Sequence, residues 1–498
     1  MWTPKKILLL PAILAALAAC GPETSERWDQ PLQISAPLTL GDDLVYLNQT
    51  FEQLQVVRPV TRSGEVELET LNLPTGKTPT KMAKADDDSA VYLINEGDRT
   101  LSVFDMTAAE PVRSDVRLDS PYDVITVDPE GEYILLGFSG ATNQRIIARN
   151  LNEIGIVDMR GGVPEEARFV TLFSRAQNIH FAPPFSLGGQ DQRLAVSLAP
   201  SEITIIDLNE DDELNSLRAV PLTISQADAI KNPVAAVFDV TPNPSAPNTV
   251  SLYVLTDRGE DITQIVIQPS VREDSPRKFD ISVNQLAAGQ TPGQMAVLDL
   301  PAGTRLLTLD RERPRFTLVD VASGEGATFD LPLTSAATKL IVYRAQVLGE
   351  DRVETRVLAY SERSPLLAVI RPESIAVSGD TPTVGRTVEA IRAKAAPSLV
   401  RMDDATEQDR AIAFHQGSQD GFTVLNLRTN RAIPIQGEAL RDIIFDGARG
   451  FGVFTNSPHF VHFDLETGHP TVFDLPEAGR RIFLSQDRTR VIVEHSHR

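Results

Sequence analysis

The stretch from residue 120 to residue 139, SPYDVITVDPEGEYILLGFS, contains the unit from which most of the chain is built. Two short apolar segments, VITV and YILLG, flank a polar turn that contains Pro129 and Gly131. Pro and Gly interrupt regular structure and favour tight turns. Short apolar segments joined by such a turn are typical of two neighbouring antiparallel β-strands.

A third strand follows at GIVDM, and similar phrases recur along the chain. Each phrase is an apolar strand that ends in Asp or Asn and then Met, Leu or Val. The copies are SVFDM, GIVDM, TIIDL, TLVDV, TVLNL and VHFDL, with the Asp or Asn at positions 105, 158, 207, 320, 426 and 464. Degenerate copies lie at residues 54–59, 262–269 and 366–372. The chain therefore contains nine units at a period of about 50 residues, which indicates a repeat architecture.

Each unit has further strands on either side of this phrase. The upstream strands are LVYLN, VYLIN, YILLG, LAVSL, LYVLT, LLTLD, VLAYS, AIAFH and GVFTN. A polar turn and another strand follow the phrase, as in DLETGHPTVFDL at residues 464–475. Four-stranded antiparallel units predict an all-β fold, a single β-propeller of eight or nine blades, with seven as the alternative. A solenoid or a row of β-sandwiches would also contain repeated strands.

The two ends of the repeat region predict how the ring closes. The segment AGRRIFLSQDRTRVIVEHSHR at residues 478–498 begins a tenth unit and stops after two strands, and the first unit lacks a clear first strand. We expect residues 480–495 to pair in the same blade as the N-terminal unit at residues 44–73. Strands from both ends of the chain would then close the ring and leave only short edges open.

The stretch at residues 120–139 and the strand TLSVFDM at residues 100–106 resemble the repeats of bacterial YVTN-type propellers. The resemblance is specific in these two units and looser elsewhere. It implies a propeller of a kind common in secreted proteins, and it implies no particular ligand. Trp-Asp-repeat and quinone-binding propellers use Trp at regular blade positions. This chain has only Trp2 and Trp28, both outside the ring, and resembles neither class.

The N-terminus has the features of a secretory signal. Lys5 and Lys6 precede an apolar run at residues 7–19, which is shorter than the stretch of about 20 residues that spans a bilayer. The residues Leu17-Ala18-Ala19-Cys20 resemble a bacterial lipobox. The resemblance implies cleavage before Cys20, a diacylglyceryl group on its sulfur and an acyl group on its new amine.

Three segments follow from this interpretation. Residues 1–19 are a lipoprotein signal peptide, residues 20–39 are the lipidated cysteine and a polar tether, and residues 40–498 are the propeller. Cys20 is the only cysteine, so no disulfide can form within the chain. Gly21 is not the Asp that typically retains lipoproteins in the inner membrane, so we expect the protein in the outer membrane of a Gram-negative cell.

Composition restricts the partners. Loss of residues 1–19 removes two lysines and no acid, which leaves 45 basic against 68 acidic residues and a net charge of −23. Such acidity argues against nucleic acid and against flat adhesion to anionic lipid. The expected partners are the bilayer, through acylated Cys20, and a protein of the cell envelope.

A candidate ligand site lies where the innermost strands begin. Each start is marked by a proline, at Thr78-Pro79, Ser120-Pro121, Asn232-Pro233, Thr291-Pro292 and Ala396-Pro397. Residues two positions after a proline, with later units aligned by eye, give the channel-mouth candidates Lys81, Asp123, Gln294, Arg441 and Arg480. One acid among three bases does not suit a metal ring, which needs several oxygen or imidazole ligands. We therefore expect no metal and no cofactor.

Two functions are compatible with these features. The first is a non-catalytic, outer-membrane-anchored platform that binds a protein or a ligand. The alternative is a periplasmic enzyme, such as a lyase or a lactonase-like enzyme, that uses the channel mouth. The sequence contains no G-x-S-x-G, H-E-x-x-H or phosphate-loop motif, so no catalytic residue is assigned.

The substitution Cys20→Ser tests the anchor. We expect it to abolish lipidation and to leave uncleaved precursor or soluble protein, because the chain has no other thiol to accept the lipid. Metabolic labelling with a radioactive fatty acid and membrane fractionation measure both effects. Continued acylation and membrane retention of the variant would contradict the assignment.

Overall fold

The computed structural model describes most of the chain beyond residue 30. The described residues are a two-residue strand, β1 (Leu8–Leu9), and residues 31–62, 65–108, 110–139, 150–222, 230–241, 248–271, 277–347, 350–375, 387–402, 409–415, 421–485, 488 and 490–495. They form nine four-stranded antiparallel sheets, which are the blades of a β-propeller, and one smaller closing sheet. The predicted all-β propeller is confirmed, with nine four-stranded blades in this part of the chain.

The first four blades extend from residue 38 to residue 221. Blade 1 contains β2 (Leu38–Leu40), β3 (Asp43–Asn48), β4 (Gln53–Arg62) and β5 (Glu65–Pro74). Blade 2 contains β6 (Pro79–Lys84), β7 (Ala90–Asn95), β8 (Thr100–Asp105) and β9 (Val112–Arg117). Blade 3 contains β10 (Val124–Val127), β11 (Tyr133–Gly137), β12 (Glu153–Asp158) and β13 (Arg168–Thr171). Blade 4 contains β14 (Asn178–Phe181), β17 (Leu194–Ala199), β18 (Glu202–Asp207) and β19 (Leu217–Pro221), with a separate hairpin of β15 (Phe185–Leu187) and β16 (Gln190–Gln192).

The next five blades extend to residue 474. Blade 5 contains β20 (Pro233–Asp239), β21 (Val250–Thr256), β22 (Asp261–Pro269) and β23 (Phe279–Ala287). Blade 6 contains β24 (Pro292–Leu300), β25 (Gly303–Asp310), β26 (Arg315–Asp320) and β27 (Gly326–Asp330). Blade 7 contains β28 (Lys339–Gln346), β29 (Val353–Tyr360), β30 (Leu366–Ile370) and β31 (Val388–Arg392). Blade 8 contains β32 (Pro397–Met402), β33 (Arg410–His415), β34 (Phe422–Asn426) and β35 (Arg431–Ile435). Blade 9 contains β36 (Leu440–Asp446), β37 (Arg449–Phe454), β38 (His459–Asp464) and β39 (Pro470–Asp474).

The closing sheet contains β40 (Gly479–Leu484), β41 (Val491–His495) and the short parallel strand β1. Helical structure in the described ranges consists of α1 (Glu213–Ser216) and a 3-10 turn at Pro372–Ser374. No helix among these residues has the length and apolar character needed to cross a membrane.

The strand order defines an inner and an outer edge for each blade. The first strands of neighbouring blades contact each other, since β6 contacts β10, and β24 contacts both β20 and β28. First strands therefore line the axis of the ring, and last strands lie on its outside. Because every blade repeats this order, the first strands all begin at one face of the ring, which we call the mouth face.

The second strand of each blade contains a buried apolar run because a blade is packed between two others. In blade 3, Ile134 and Leu136 pack against blade 2, whereas Tyr133 and Leu135 pack against blade 4. All four side chains are fully buried. Two buried faces require a continuous apolar run such as YILLG, rather than alternation of apolar and polar residues. Burial of each such side chain stabilises the folded protein by roughly 1.5–3 kcal/mol.

Apolar clusters join the sheets in a circle. In the described part of the chain there is one cluster at each of ten successive interfaces, represented by Leu47 and Phe104 (blades 1 and 2), Tyr92 and Ile134 (2 and 3), Leu135 and Ile206 (3 and 4), Val196 and Leu252 (4 and 5), Tyr253 and Leu306 (5 and 6), Leu307 and Ala359 (6 and 7), Leu358 and Ala413 (7 and 8), Val424 and Phe463 (8 and 9), Val453 and Val493 (9 and the closing sheet), and Ile492 and Tyr46 (the closing sheet and 1). Ten sheets with ten successive interfaces form a closed ring.

The ring closes by packing between sheet faces rather than by a shared blade. Residues 480–495 do not pair with strands at residues 44–73, so that sequence-based expectation is wrong. Blade 1 already has four strands, because the three-residue strand β2 supplies the first one. No inner edge is left for β41, and Ile492 instead packs face to face against Leu44, Tyr46 and Val57.

Deletion of residues 480–498 tests this closure. The truncation would expose the apolar faces of blade 1 and blade 9 together, so we expect aggregation or a large loss of thermal stability. The milder substitution Ile492→Ala should cost about 2–4 kcal/mol, because a buried side chain is replaced by a cavity. Chemical denaturation measures the free energy of unfolding.

The matched control is Val472→Ala on the outer strand β39, where the side chain is 53% exposed. Its effect should stay within about 0.5 kcal/mol. A truncated protein that melts like the full chain would contradict closure of the ring by β40 and β41.

Candidate functional site at the mouth face

Most inner strands begin with a β-bulge at the mouth face. In blade 2, Pro79 pairs with Asn95 and Lys81 pairs with Ile94, so Thr80 is the extra residue. The same shift in register follows Pro233, Pro292, Pro397, Leu440 and Gly479. A bulge places two residues opposite one and bends the strand. Proline suits the position before it, because the first residue of an edge strand can lack an N–H donor.

The first strand of blade 3 also begins with two residues opposite one, but this irregularity lies one residue farther from the proline than it does in blade 2. Asp123 donates its backbone N–H to Gly137 O (3.1 Å), and Val124 is the residue paired with Gly137. Both residues therefore oppose a single residue, as Thr80 and Lys81 do in blade 2. Asp123 consequently corresponds to Thr80 and not to Lys81.

The five candidate residues all lie at these strand starts, at two neighbouring positions. Lys81 and Gln294 are the second residue of their bulges. Arg441 and Arg480 are the first residue of theirs, and Asp123 takes the same position in blade 3.

The alignment by eye of the last two units was wrong by one residue. Leu440 and Gly479 occupy the place that proline takes in other blades. The true counterparts of Lys81 are therefore Asp442 and Arg481.

The five residues do not form one cluster, because they belong to different sectors of the ring. Gln294 lies on blade 6, across the ring from blade 1. Arg441 and Arg480 lie on adjacent sheets, blade 9 and the closing sheet, and Lys81 lies on blade 2. We call Lys81, Arg441, Arg480 and Arg481 the basic arc, since they surround the seam where the ring closes.

The cations of the basic arc differ in how they are neutralised. Lys81 and Arg441 are exposed and form no ion pair with any described residue. The Arg480 side chain is 46% exposed, and its Nη1 lies 3.9 Å from Glu494 Oε1. Arg481 donates to Pro37 O (3.3 Å), which attaches it to the entry of blade 1.

The acid nearest to these cations in register is already occupied. Asp442 accepts a hydrogen bond from Arg401 Nη1 (2.7 Å) and another from the backbone N–H of Ile482 (3.1 Å). Asp442 therefore ties blades 8 and 9 to the closing sheet and does not neutralise Arg441. Glu438 and Glu477 lie in the loops that lead into β36 and β40, and neither forms an ion pair within the described ranges.

Acidic side chains lie on the mouth face next to Lys81, on blades 2 and 3. Burial raises the pKa of Glu96, and the nearby charge of Asp123 raises it further. Asp123 itself accepts hydrogen bonds from the backbone N–H (2.7 Å) and the hydroxyl of Ser139. The carboxylates of Glu96 and Asp123 therefore border the basic arc on blades 2 and 3, while Glu438 and Glu477 lie beside it in the loops before β36 and β40.

A buried tyrosine lies beneath the seam. Tyr46 is 3% exposed, and its hydroxyl makes no hydrogen bond in the described part of the chain. Burial raises the pKa of Tyr46 well above its usual value, and the charge of Glu494 adds to the effect. The phenol stays neutral at every physiological pH, so it contributes apolar packing to the closure and no charge to the arc.

Sequence reasoning missed a set of buried polar residues at the ends of the second strands. Asn95 is fully buried, accepts a hydrogen bond from Gly76 N (3.1 Å) and donates to Ser102 Oγ (2.7 Å). In blade 8, His415 Nε2 lies 2.9 Å from Thr423 Oγ1. Such groups hold the incoming loop to the third strand, since buried backbone groups need partners.

The signal for this set was present in the strands themselves. VYLIN, LYVLT, LLTLD, AIAFH and VIVEH each end in a polar residue at the same position. Asp310, at the end of LLTLD, accepts hydrogen bonds from the N–H groups of Glu312 (2.8 Å) and Arg313 (3.2 Å). These residues build the frame of the mouth, and their side chains are committed to it.

The enzyme alternative gains no support from the arrangement of ligating groups. Nowhere in the described ranges do three or more His, Cys, Asp or Glu side chains come together in a group that could hold a metal ion. Cys20 and His497 lie outside the described residues.

Two cavities lie away from the basic arc. A polar cavity of about 130 Å³ in blade 6 is lined by Gly289, Gln290, Thr291, Asp310 and Arg315, among others. An open cleft of about 430 Å³ between blades 3 and 4 is lined by Leu151, Asn152, Phe173, Arg175 and Gln177, among others. Neither contains a candidate residue of the mouth face.

Comparison with known proteins shows no matching family model and no matching curated protein. Among solved structures, the chain is similar to dihydro-heme d1 dehydrogenase NirN in complex with DHE, at 10% identity and a TM-score of 0.41 over 88% of this chain and 74% of that one. It is also similar to Saccharomyces cerevisiae Sqt1, at 9% identity and a TM-score of 0.37 over 83% and 95%. Apo AztD from Citrobacter koseri matches at 8% identity and a TM-score of 0.31 over 82% and 99%. At such low identity and TM-score, these matches assign no activity to this chain.

Proposed function

We propose that this protein is a lipid-anchored propeller of the bacterial cell envelope and that its basic arc binds an acidic segment of a partner protein. The propeller is a non-catalytic platform in this account. Cleavage before Cys20 removes β1 and leaves β40 and β41 as the closing sheet. Lipid on Cys20 holds the protein at the outer membrane, and the ring supplies a rigid frame for the arc.

The observation that carries the proposal is a set of exposed cations, without ion-pair partners among the described residues, on a strongly acidic chain. The whole chain has a net charge of −21, so neutralisation of exposed cations by neighbouring acids is the expected state. Lys81 and Arg441 nevertheless remain exposed and without an ion pair among the described residues. Cations on one face of a protein add their potentials and so raise the local concentration of an anionic group.

A protein segment fits this arrangement better than a small anion. The arc extends over blade 9, the closing sheet and blade 2, with blade 1 between them, so its cations are distributed along a rim rather than gathered in a pocket. The carboxylates Glu96 and Asp123 border the arc on one side and would repel an acidic segment there. The rim therefore favours one position of an extended acidic chain.

The tether supports the choice of an envelope partner. Gln33 donates its N–H to Thr50 Oγ1 (2.8 Å), and Thr50 Oγ1 donates to Pro31 O (3.2 Å). Thr50 lies in the turn between β3 and β4, at the same end of blade 1 as the start of its inner strand. The tether therefore enters at the mouth face. The residues between Cys20 and Pro31 span at most about 40 Å, so an acylated Cys20 would hold the mouth close to the bilayer.

Charge reversal tests the arc. The double substitution Lys81→Glu and Arg441→Glu should weaken binding of a fluorescent octaglutamate peptide by about tenfold, which corresponds to about 1.4 kcal/mol. Fluorescence anisotropy measures the affinity at several salt concentrations. Binding to the unmodified protein should weaken as salt increases, because exposed charges are screened.

The matched control is the double substitution Arg392→Glu and Arg431→Glu, which makes the same charge change at exposed positions on the outer strands β31 and β35. It should leave peptide binding almost unchanged. Equal affinity of the double variant and the unmodified protein would contradict the proposal. An equal loss in the control would also contradict it, since only net charge would then matter.

A further inference from the structure

The outer edge of blade 5 differs from the other outer edges of the ring. Its last strand, β23, pairs with β22 along all nine of its residues, from Phe279 to Ala287. No other strand pairs with β23 in the described part of the chain. Residues Ser282 to Gln285 form an exposed run on this edge, and the Val283 side chain is 46% exposed.

The direction of the backbone groups on β23 follows from the hydrogen bonds at its two ends. Ser270 N donates to Lys278 O (3.1 Å), and Ala288 N donates to Glu260 O (2.8 Å). In an antiparallel pair, hydrogen-bonded and non-hydrogen-bonded residue pairs alternate. Even-numbered residues of β23 therefore bond to β22. Ile281, Val283 and Gln285 point their N–H and C=O groups away from the blade.

The other outer strands carry the features that normally prevent pairing between edges. These features are charged residues, proline and short length. Examples are Glu67 and Glu69 on β5, Arg113, Asp115 and Arg117 on β9, Pro221 on β19, Pro434 on β35 and the four-residue length of β13. On β23 the only charged residue is Asp280, and the strand contains no proline. A long, neutral outer edge is a template for another strand.

We propose that β23 pairs with β23 of a second copy of this chain, antiparallel and about a two-fold axis through Val283. The interface is self-complementary in this register. Val283 lies opposite Val283 of the second copy, and Ile281 lies opposite Gln285. The three central outward-facing residues of each strand, Ile281, Val283 and Gln285, then form about six backbone hydrogen bonds, two for each facing pair.

The charges on β23 favour a second copy as the occupant. In the same register Asp280 faces Leu286 of the second copy, so the two aspartates do not oppose each other. Like charges directly opposite each other destabilise a strand pair, and this register has none. The net charge of −21 on each copy opposes association at long range. Salt screens that repulsion beyond about 8 Å at physiological ionic strength, so the dimer should strengthen as salt increases.

Sedimentation equilibrium of the full-length chain with Cys20→Ser tests the proposal without lipid or detergent. We expect a reversible monomer–dimer equilibrium. Adding Val283→Lys should weaken the dimer at least tenfold, because two lysines would meet at the two-fold axis. The matched control is Val472→Lys on the outer strand β39, where the valine is 53% exposed, and it should leave the dimer intact. Thermal melting should be similar for all three proteins, since neither position is buried.

A second measurement locates the contact. In the Cys20→Ser background, Val283→Cys supplies the only thiol of the chain, and mild oxidation should produce a covalent dimer. The matched variant Val472→Cys should stay monomeric on a denaturing gel. A monomer at all concentrations overturns the proposal, as does a dimer that Val283→Lys leaves intact. Binding of a foreign extended peptide to a monomeric chain also overturns it and assigns the edge to a different partner.

Discussion

The structure depends on one constraint, which is that every sheet of the ring has two apolar faces and must bury both. Ile134 and Tyr133 are neighbours on one strand, yet each belongs to a different interface. A single blade would expose at least one such face to water and would not be stable alone. The ring therefore needs the last interface, where Ile492 contacts Leu44 and Tyr46, to cover the remaining apolar faces of the closing sheet and blade 1. Only a closed circle leaves no apolar face uncovered.

The same closure creates the chemical character of the mouth face. The closing sheet brings Arg480 and Arg481 between blade 9 and blade 1, and Asp442 accepts hydrogen bonds across the joint. The bulges at the strand starts place these residues on the mouth face, and buried polar residues such as Asn95 hold the loops. Packing at the seam and exposed charge at the rim are therefore consequences of one arrangement, and the proposed acidic partner would bind where the ring is joined.

Much of the fold could be predicted from the sequence, because strand patterns with turn residues repeat nine times. VYLIN and SVFDM became β7 and β8 with the expected antiparallel pairing. The first strand of blade 1 was missed, since LTL at residues 38–40 is too short to show a pattern. That omission produced the wrong expectation for residues 480–495, which were assigned to blade 1 in place of the missed strand.

The candidate site could be predicted only in part. The proline marker correctly found the starts of four inner strands, because proline suits the residue that precedes the bulge, and it was one residue out of step in blade 3. A bulge inserts one residue, and it can be placed only when the pairing strand is known. Arg441 and Arg480 were therefore assigned to the position that Asp442 and Arg481 occupy. Register errors of this kind are invisible to composition and periodicity, since both residues of a bulge lie in the same short polar stretch.

Hydrogen exchange of the native protein, followed by mass spectrometry, tests the closed ring most directly. If the terminal sheet completes the circle, amides of β41 should exchange together with those of β3 and β37, in one cooperative opening that requires most of the free energy of unfolding. Peptides from all three strands would then gain deuterium at the same rate under conditions where opening limits exchange. Rapid exchange of β41 while β3 and β37 stay protected would contradict the account, because the ring would then be stable without its last sheet.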